Sequence, residues 1–230
     1  MNFDIRNLFV INIGGVEVWI TETQVVTWMI MAVLITFAVI VRRKLRKFEN
    51  VPKSKLQQFT EVIVDFFDRF VRSTAGNKLA FLGNWFFAVF AMIFLSSFSG
   101  LFGFRPPTAD WSFTFAMALV TFMLIQVLGI KFRGKGYLKG LMQPAVVFLP
   151  TNIIGELSRP VSLSFRLFGN VLAGLILLTL IYTLPPVPFR FGLPVVLHAY
   201  FDLISGFLQT YIFCVLSLSF ISGAAGVELE

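Results

Sequence analysis

The sequence predicts an all-α, polytopic membrane protein, and three features of the chain support that prediction. First, 57% of its 230 residues are hydrophobic and 13% are charged, whereas soluble domains carry about 25% charged residues. Second, the apolar residues form runs as long as the roughly 20 residues that a helix needs to cross a bilayer. Third, the basic residues cluster in two loops beside those runs. We expect five or six membrane helices, including two long, strongly tilted C-terminal helices that form a hairpin, and an amphipathic interfacial helix.

The composition also excludes several classes of function. The net charge of +7 would suggest nucleic acid as a partner of a soluble protein. Here the cations lie next to apolar segments, as the positive-inside rule describes, so we predict no nucleic acid. Cys214 is the only cysteine and His198 the only histidine, and we predict no disulfide, metal or cofactor. A cleavable signal peptide is not expected, because the first 22 residues include Asp4, Arg6, Glu17 and Glu22.

The first part of the chain divides into a short outer segment and three membrane helices. Residues 1–22 are expected to be short-stranded or irregular, with a turn at Gly14-Gly15. Residues 54–72 place apolar side chains at three- and four-residue spacing, which predicts an amphipathic helix along the membrane surface or against the next helix. Residues 141–149 are apolar but too short to span, so we interpret them as re-entrant or interfacial. The three predicted spans are residues 23–41, 79–104 and 111–130.

Two long apolar segments follow, at residues 148–184 and 191–223. As a continuous helix the first would be about 55 Å long, well beyond the roughly 30 Å hydrocarbon core. Pro150 and Pro160 can bend or interrupt it. We therefore expect both segments to be steeply tilted, kinked or both, with a proline-rich turn at the outer face between them.

The two basic loops predict the orientation of the chain. The first carries seven cations between residues 42 and 55 against Glu49 alone, and the second carries four between residues 131 and 139 without an acid. Both loops are expected in the cytoplasm, with the N-terminus outside and the C-terminus cytoplasmic, in a bacterial plasma (inner) membrane. We treat residues 1–230 as a single membrane domain: 1–22 as the outer segment, 23–147 as peripheral helices and basic loops, and 148–230 as the tilted hairpin with the ion path.

One arginine lies inside an otherwise uncharged apolar run. Arg166 is the only charged side chain between residues 161 and 184. A charge at membrane depth costs about 2.5 to 17 kcal/mol, so it needs a partner or a watery cavity. Arginine is not deprotonated in proteins, and it can therefore attract a carboxylate and block cations without relaying protons.

Other polar residues fall in two sets at different depths, with Arg166 between them. Glu156 is expected nearer the cytoplasm, and His198 and Asp202, spaced i,i+4, nearer the outside. Two half-paths interrupted by a fixed positive charge would carry ions without the leak of a continuous path. The candidate ion-path residues share polarity and predicted membrane depth: Arg166, Asn170, Gln209, Asp202, Glu156, His198 and Ser162.

Each of these residues also has a purely structural interpretation. Arg166 could form an internal ion pair with Asp202 or Glu156, and the single histidine could be an interfacial residue. Asn170 and Gln209 could be interhelical hydrogen-bonding groups. Asp202 could have the same role, and Glu156 could simply be exposed at the cytoplasmic interface.

The segment PVSLSFRLFGN, residues 160–170, resembles the motif around the essential arginine of the a subunit of F-type ATP synthases. Three further segments are similar to the same family: LPTNIIGELSRP at 149–160, FLQTYIFCVLSLSFI at 207–221 and PTADWSFTFAMAL at 107–119. The resemblance covers essentially the whole chain and is strongest over its C-terminal third. The arginine motif is highly specific, whereas the apolar helices alone are not.

The resemblance implies a non-catalytic stator subunit that provides two offset half-channels for protons or Na⁺ against a rotating ring of c subunits. Its other implied partners are the peripheral stalk b subunits, the remaining ATP synthase subunits and the lipid bilayer. Arg166 corresponds to the arginine that faces the ion-binding carboxylate of the ring, and Asn170 and Gln209 match neighbouring polar positions. Asp202 fits the outer access position on the last helix.

This chain departs from the family pattern at one position of the outer access path. It has Leu175 where some relatives have an acidic residue or a histidine. His198 could compensate for that missing group.

Two functions from other classes remain as alternatives. A secondary transporter would use intramembrane charges for solute or ion coupling, but it is typically built from repeated halves, and no duplicated pattern is found here. An intramembrane enzyme would need a nucleophile and a base at matched depth. Ser162 and His198 are too far apart in predicted depth for that.

Overall fold

The computed structural model describes residues 7–13, 16–45, 55–143, 145–183 and 189–227. Within those residues, five helices are long and apolar enough to cross a membrane. The prediction of an all-α, polytopic membrane protein is confirmed, because helices satisfy every backbone polar group within the hydrocarbon region. The predicted Gly14-Gly15 turn lies outside the described residues, as do most of the first basic loop and most of the proline-rich linker.

A β-hairpin precedes the first helix, in agreement with the short-stranded segment that the sequence predicts. Strand β1 (Asn7–Ile13) pairs antiparallel with strand β2 (Val16–Thr21). Helix α1 (Glu22–Leu45) begins directly after β2 and continues past its predicted end at residue 41. Its last turn carries Arg42, Arg43 and Lys44, whose charges suit the negative end of the helix dipole.

The start of α1 is held beside the start of helix α4 (Trp111–Arg133). The hydroxyl of Thr23 donates a hydrogen bond to the carboxylate of Asp110, which precedes α4, and Arg105 Nη2 lies 3.6 Å from the same carboxylate. Both helices therefore start on one side of the molecule and end, with their cations, on the other. We call the latter the basic side.

Helix α2 (Lys55–Ala75) has the predicted amphipathic character, but its apolar stripe is divided between two environments. Phe67 and Val71 are buried, and Phe67 packs edge-on against Phe87 and Phe90 of helix α3 (Gly83–Phe98). Phe66, on the same stripe, is 55% exposed. The helix thus packs against the next helix, which is one of the two predicted arrangements. Part of its apolar face remains uncovered.

The core lies where α3 and α4 pack on the C-terminal helices. Short 3₁₀ turns at Asn77–Leu82 and Ser99–Phe102 flank α3 and complete the second span. Helix α4 contacts both helices of the C-terminal hairpin, and α3 contacts the last of them. The largest fully buried side chains are mostly apolar and include Phe86, Ile93, Ile125, Leu167, Phe213, Leu218 and Ile221.

The second basic loop is more ordered than its three glycines suggest. Helix α5 (Lys135–Leu141) follows α4 after Gly134, whose φ of 54° is open to glycine. A Cβ built on Gly129 would lie 2.9 Å from the Tyr137 ring, so this residue must be small for α5 to pack against α4. This packing offsets the low helix propensity of glycine. An exposed 3₁₀ turn at Val146–Phe148 precedes the next helix.

The C-terminal hairpin consists of two long helical segments. Helix α6 (Leu149–Thr183) runs for 35 residues with Pro160 inside it. Its length is about 50 Å at 1.5 Å per residue, so it fits a bilayer only when strongly tilted. The second segment comprises α7 (Phe189–His198), a π-helical stretch at Ala199–Ser205 and α8 (Gly206–Ala225). The π-helical stretch, which the sequence does not predict, contains Asp202.

Candidate functional site

Arg166 lies on an exposed face of α6, together with Ser162 and Gly169. Among the described residues it has no ion-pair or hydrogen-bond partner. The structural alternative of an internal ion pair is wrong here, because both candidate acids are paired elsewhere. Glu156 binds Arg159, and Asp202 binds His198. Arg166 therefore has no acidic partner within the described part of the chain.

The level of Arg166 in the hairpin follows from two contacts between α6 and the π-helical stretch. Asn170 exchanges hydrogen bonds with the Ser205 hydroxyl, at 2.9 Å through Nδ2 and 3.1 Å through Oδ1. A Cβ built on Gly174, four residues further along α6, would lie 3.1 Å from the ring of Phe201, four residues before Ser205. The two contacts are one helical turn apart on each antiparallel element. These hydrogen bonds therefore join the two segments of the hairpin, and we call them the Asn170–Ser205 bridge.

The same register places Arg166 and Gln209 at the same level of the hairpin. Each lies four residues beyond the Asn170–Ser205 bridge, which is one further turn, or about 6 Å, along its own helix. The amide Nε2 of Gln209 is buried and has no hydrogen-bond partner among the described residues. A buried amide without a partner costs about 1–3 kcal/mol, so Gln209 has a donor available at the level of Arg166.

His198 and Asp202 form the polar cluster nearer the hairpin turn. The Nδ1 atom of His198 lies 2.7 Å from Oδ2 of Asp202, and the two side chains are 20% and 12% exposed. The ring of His198 lies 6.2 Å from that of Tyr182 on α6. Leu175, the position at which the chain departs from the family pattern, is half-buried. The predicted i,i+4 contact therefore forms even though Asp202 lies in a π-helical turn, a feature common at functional sites.

The second polar cluster lies at the basic side and lines a cavity of about 500 Å³. Its walls come from α4, α5, the start of α6 and the end of α8. Arg159 Nη1 donates to Glu156 Oε2 at 2.9 Å, and the same guanidinium lies 5.1 Å from the centre of the Phe220 ring. Glu156 is half-buried in this cavity, so the alternative of a simply exposed carboxylate is wrong. The lining residues include Arg133, Tyr137, Gln143, Asn152, Gly155, Glu156 and Arg159.

Tyr137 is a neutral member of the cavity wall. Its hydroxyl donates to Gln126 Oε1 at 3.0 Å. Burial, together with the nearby carboxylate of Glu156, raises the pKa of Tyr137 above its ordinary value, while Arg159 acts in the opposite direction. The raised pKa means that the neutral form is favoured in the folded state.

We expect Tyr137 to ionise only above the usual tyrosine pKa of about 10. Its contribution to stability is complete below that pH and is lost as pH rises through the raised pKa, because burial and the Glu156 carboxylate disfavour the charged phenolate. The measurement is an ultraviolet titration of tyrosinate in the purified chain, from which the titration of Tyr137→Phe is subtracted. A difference signal with its midpoint at or below the usual pKa would contradict this expectation.

Sequence reasoning missed three residues that the structure brings into these clusters: Ser205, Arg159 and Tyr137. Arg159 lies in the segment LPTNIIGELSRP, and its i,i+3 spacing from Glu156 was a usable signal. Ser205 was recognisable only as a polar residue in an apolar run. Tyr137 gave no signal, because its contacts depend on how separate helices pack.

A helical membrane protein whose two longest segments carry an arginine without a partner among the described residues, between two polar clusters, has the features expected of an ion-transporting protein. The family model of the ATP synthase A chain matches residues 24–222, and the chain belongs to that family. It is 34% identical over 226 residues to "ATP synthase subunit a, sodium ion specific" of Propionigenium modestum, covering 90% of this chain and 75% of that protein.

Two other relatives extend the comparison. The chain is 34% identical over 214 residues to ATP synthase subunit a 2 of Picosynechococcus sp., covering 91% of this chain and 88% of that protein. It is 30% identical over 219 residues to ATP synthase subunit a of Moorella thermoacetica, covering 95% and 96%. Family membership confirms the resemblance found in the sequence. The chain is a non-catalytic, integral membrane subunit of the F-type ATP synthase complex, with a role in ATP synthesis and ion transport.

Proposed function

We propose that this subunit provides two offset half-channels for ion translocation against a rotating c-subunit ring, and that Arg166 separates them. The observation that carries the proposal is the position of Arg166. It is exposed on α6 without a partner in the described residues, between two paired polar clusters. The subunit would in this way couple the ion gradient to ATP synthesis.

The cost of an unpaired charge supports a partner of opposite sign from another chain. A lone arginine at membrane depth costs about 2.5 to 17 kcal/mol. Its neighbours Ser162 and Gly169 are small and exposed, and a Cβ built on Gly169 would meet nothing within 4 Å. This surface suits the close approach of a second helix. An ion-binding carboxylate on a c subunit is the partner that we propose.

The His198–Asp202 pair is the proposed outer half-channel. Both groups can hold and pass a proton. Asp202 lies about two helical turns, and His198 about three, from the level of Arg166. Leu175 supplies no ionisable group on α6, and His198 would fill that role from α7. Because the selecting carboxylate is on the c subunit, either protons or Na⁺ fit this arrangement.

The cavity that contains Glu156 is the proposed inner half-channel. Glu156 lies ten residues before Arg166 on α6, which is about 15 Å along the helix. Ser162 lies between them on the exposed face. The open volume of about 500 Å³ has room for several waters, and its polar lining offers them partners.

The proposed cycle follows from these positions. An ion enters past His198 and Asp202 and neutralises a carboxylate on one c subunit, which can then face lipid, since only the charged form would be very costly there. After nearly a full turn the same site reaches the cavity near Glu156 and releases its ion. The free carboxylate then pairs with Arg166, and this keeps the two paths separate. The gradient supplies about 2.3 kcal/mol per charge per 100 mV.

The cations of the basic side support an orientation. Positive charge is concentrated in cytoplasmic loops of membrane proteins, so we propose that the basic side faces the cytoplasm. The Glu156 cavity would then open to the cytoplasm and the β-hairpin would lie outside. A bacterial plasma membrane is the proposed location, with the peripheral stalk b subunits as further partners.

Cross-linking tests the proposed c-ring surface. In a Cys214→Ser background, Ser162→Cys and Gly169→Cys are expected to form disulfides with a cysteine placed beside the ion-binding carboxylate of a c subunit. Both positions flank Arg166 on the exposed face, and a disulfide requires Cα atoms closer than about 7 Å. The matched control is Val39→Cys, which is 42% exposed on α1. Absence of cross-links from both positions in an assembled complex, or equal cross-linking from Val39→Cys, would refute the surface.

A further inference from the structure

The carboxyl group of Asp202 lies in a close seam between two elements. The seam consists of Ser97 and Gly100, at the end of the second span, and of Asp202 and Gly206. A Cβ built on Gly100 would lie 3.0 Å from Cγ and Oδ1 of Asp202 and 3.1 Å from Oδ2. A Cβ built on Gly206 would lie 2.9 Å from Cβ of Ser97. Each element thus contributes one glycine, and the two contacts lie at successive turns.

These contacts show that Asp202 is confined from two sides. Its carboxyl group lies beside the Cβ position of residue 100, and Nδ1 of His198 lies 2.7 Å from its Oδ2 atom. The side chain keeps only 12% of its surface exposed. A side chain at residue 100 would crowd the carboxyl group, because contacts of 3.0 to 3.1 Å are tighter than nine in ten real Cβ contacts and the carboxyl group would have to shift by a few tenths of an ångström.

We propose that Gly100 is a positioning residue of the outer half-channel: its lack of a side chain holds the carboxyl group of Asp202 in the seam and against His198. This inference rests on the proposed function of Asp202. It adds a third element, the 3₁₀ turn Ser99–Phe102, to a path otherwise built from the hairpin alone. A methyl group at residue 100 would push the carboxyl group away from His198.

The short distance between residue 100 and Asp202 also predicts that residue 100 can supply the carboxyl group itself. A glycine with only a structural role would not lead to this prediction. Because the Cβ position of residue 100 lies 3.0 Å from Cγ of Asp202, an aspartate at residue 100 can put its own carboxyl group in the same space. Ion flow through the outer half-channel would then require a carboxyl group in the seam, whether residue 100 or residue 202 supplies it. Exchanging the two residues, as Gly100→Asp with Asp202→Gly, tests this directly.

The experiment compares five variants of the whole complex in vesicles: Gly100→Ala, Asp202→Gly, the exchange Gly100→Asp/Asp202→Gly, the version Gly100→Asp/Asp202→Ala, and the control Gly136→Ala. Gly136 lies on α5, where an added Cβ meets nothing within 4 Å. The version with Ala avoids a second glycine in a helix, which costs about 1 kcal/mol. The readouts are passive proton flux through the membrane sector and copurification of the complex.

We expect Gly100→Ala to lower the flux about tenfold relative to Gly136→Ala, which is a partial loss of the roughly 10²- to 10⁴-fold that a positioned proton-transfer group contributes. Asp202→Gly should lose nearly all flux, and at least one exchanged version should recover much of it. Flux in Gly100→Ala equal to the control would overturn the inference, as would two assembled exchanged versions as inactive as Asp202→Gly. Normal flux in Asp202→Gly itself would instead remove the proposed function of Asp202, so the two failures are distinguishable.

Discussion

Arg166→Ala is expected to abolish coupled ATP synthesis by the assembled complex. The variant removes the only charge that α6 presents on its exposed face between residues 161 and 183, and no described residue is paired with it to take over. In the proposed mechanism, loss of the guanidinium would leave the c-ring carboxylate without its partner and remove the barrier between the two half-channels. ATP synthesis in inverted vesicles, driven by an imposed ion gradient, is the measurement.

The same variant should raise passive proton uptake into vesicles that carry the membrane sector. A fixed positive charge repels cations, so its removal opens a continuous path between the two clusters. Arg166→Lys separates charge from geometry, because a lysine in a low-dielectric site can lose its proton whereas arginine does not. We expect it to restore the barrier only in part.

Arg69→Ala is the matched control for both measurements. It removes an exposed cation that is paired with Asp65 on α2 and belongs to neither of the two polar clusters. We expect both synthesis and permeability to be unchanged in it. Low permeability in an assembled Arg166→Ala complex, or near-normal synthesis, would mean that the arginine has only a structural role.

The sequence was sufficient to predict the features that depend on single segments. Hydrophobic length determines the spans, and the spacing of aromatic residues predicts α2 as amphipathic. Arg166 stands out because nothing near it in the run is charged, and the i,i+4 spacing of His198 and Asp202 predicts their contact. These properties need no knowledge of how one helix meets another.

Features that depend on contacts between helices could not be predicted from single segments. The Asn170–Ser205 bridge depends on the register of the hairpin, which is set by packing of residues such as Gly174 and Phe201. Helix α5 was missed because glycines lower helix propensity while the fit of Tyr137 on Gly129 stabilises the turn. The π-helical stretch has no known pattern in the sequence, and its effect is to alter the phase of α8 relative to α7.

Asp202→Asn is expected to reduce both passive proton flux and coupled synthesis by about 10²-fold or more, the scale of a lost proton-transfer group. Asparagine keeps the shape of the side chain and an oxygen that can accept from His198, so the seam with Gly100 should persist. The variant loses the ability to bind and release a proton in the outer half-channel. Copurification of the complex checks that assembly is unchanged.

The two arginine and aspartate variants should therefore act on permeability in opposite directions. Loss of Arg166 removes a barrier and raises the flux, whereas loss of the Asp202 carboxyl group removes a carrier and lowers it. The double variant Arg166→Ala/Asp202→Asn tests whether both residues lie on one path. If they do, its proton leak will be smaller than that of Arg166→Ala alone.

The matched control is Asp65→Asn, which removes an exposed carboxylate on α2. Ordinary flux in an assembled Asp202→Asn complex would show that ions reach the c ring by a route that does not use this carboxyl group, and His198 would then be the residue to test.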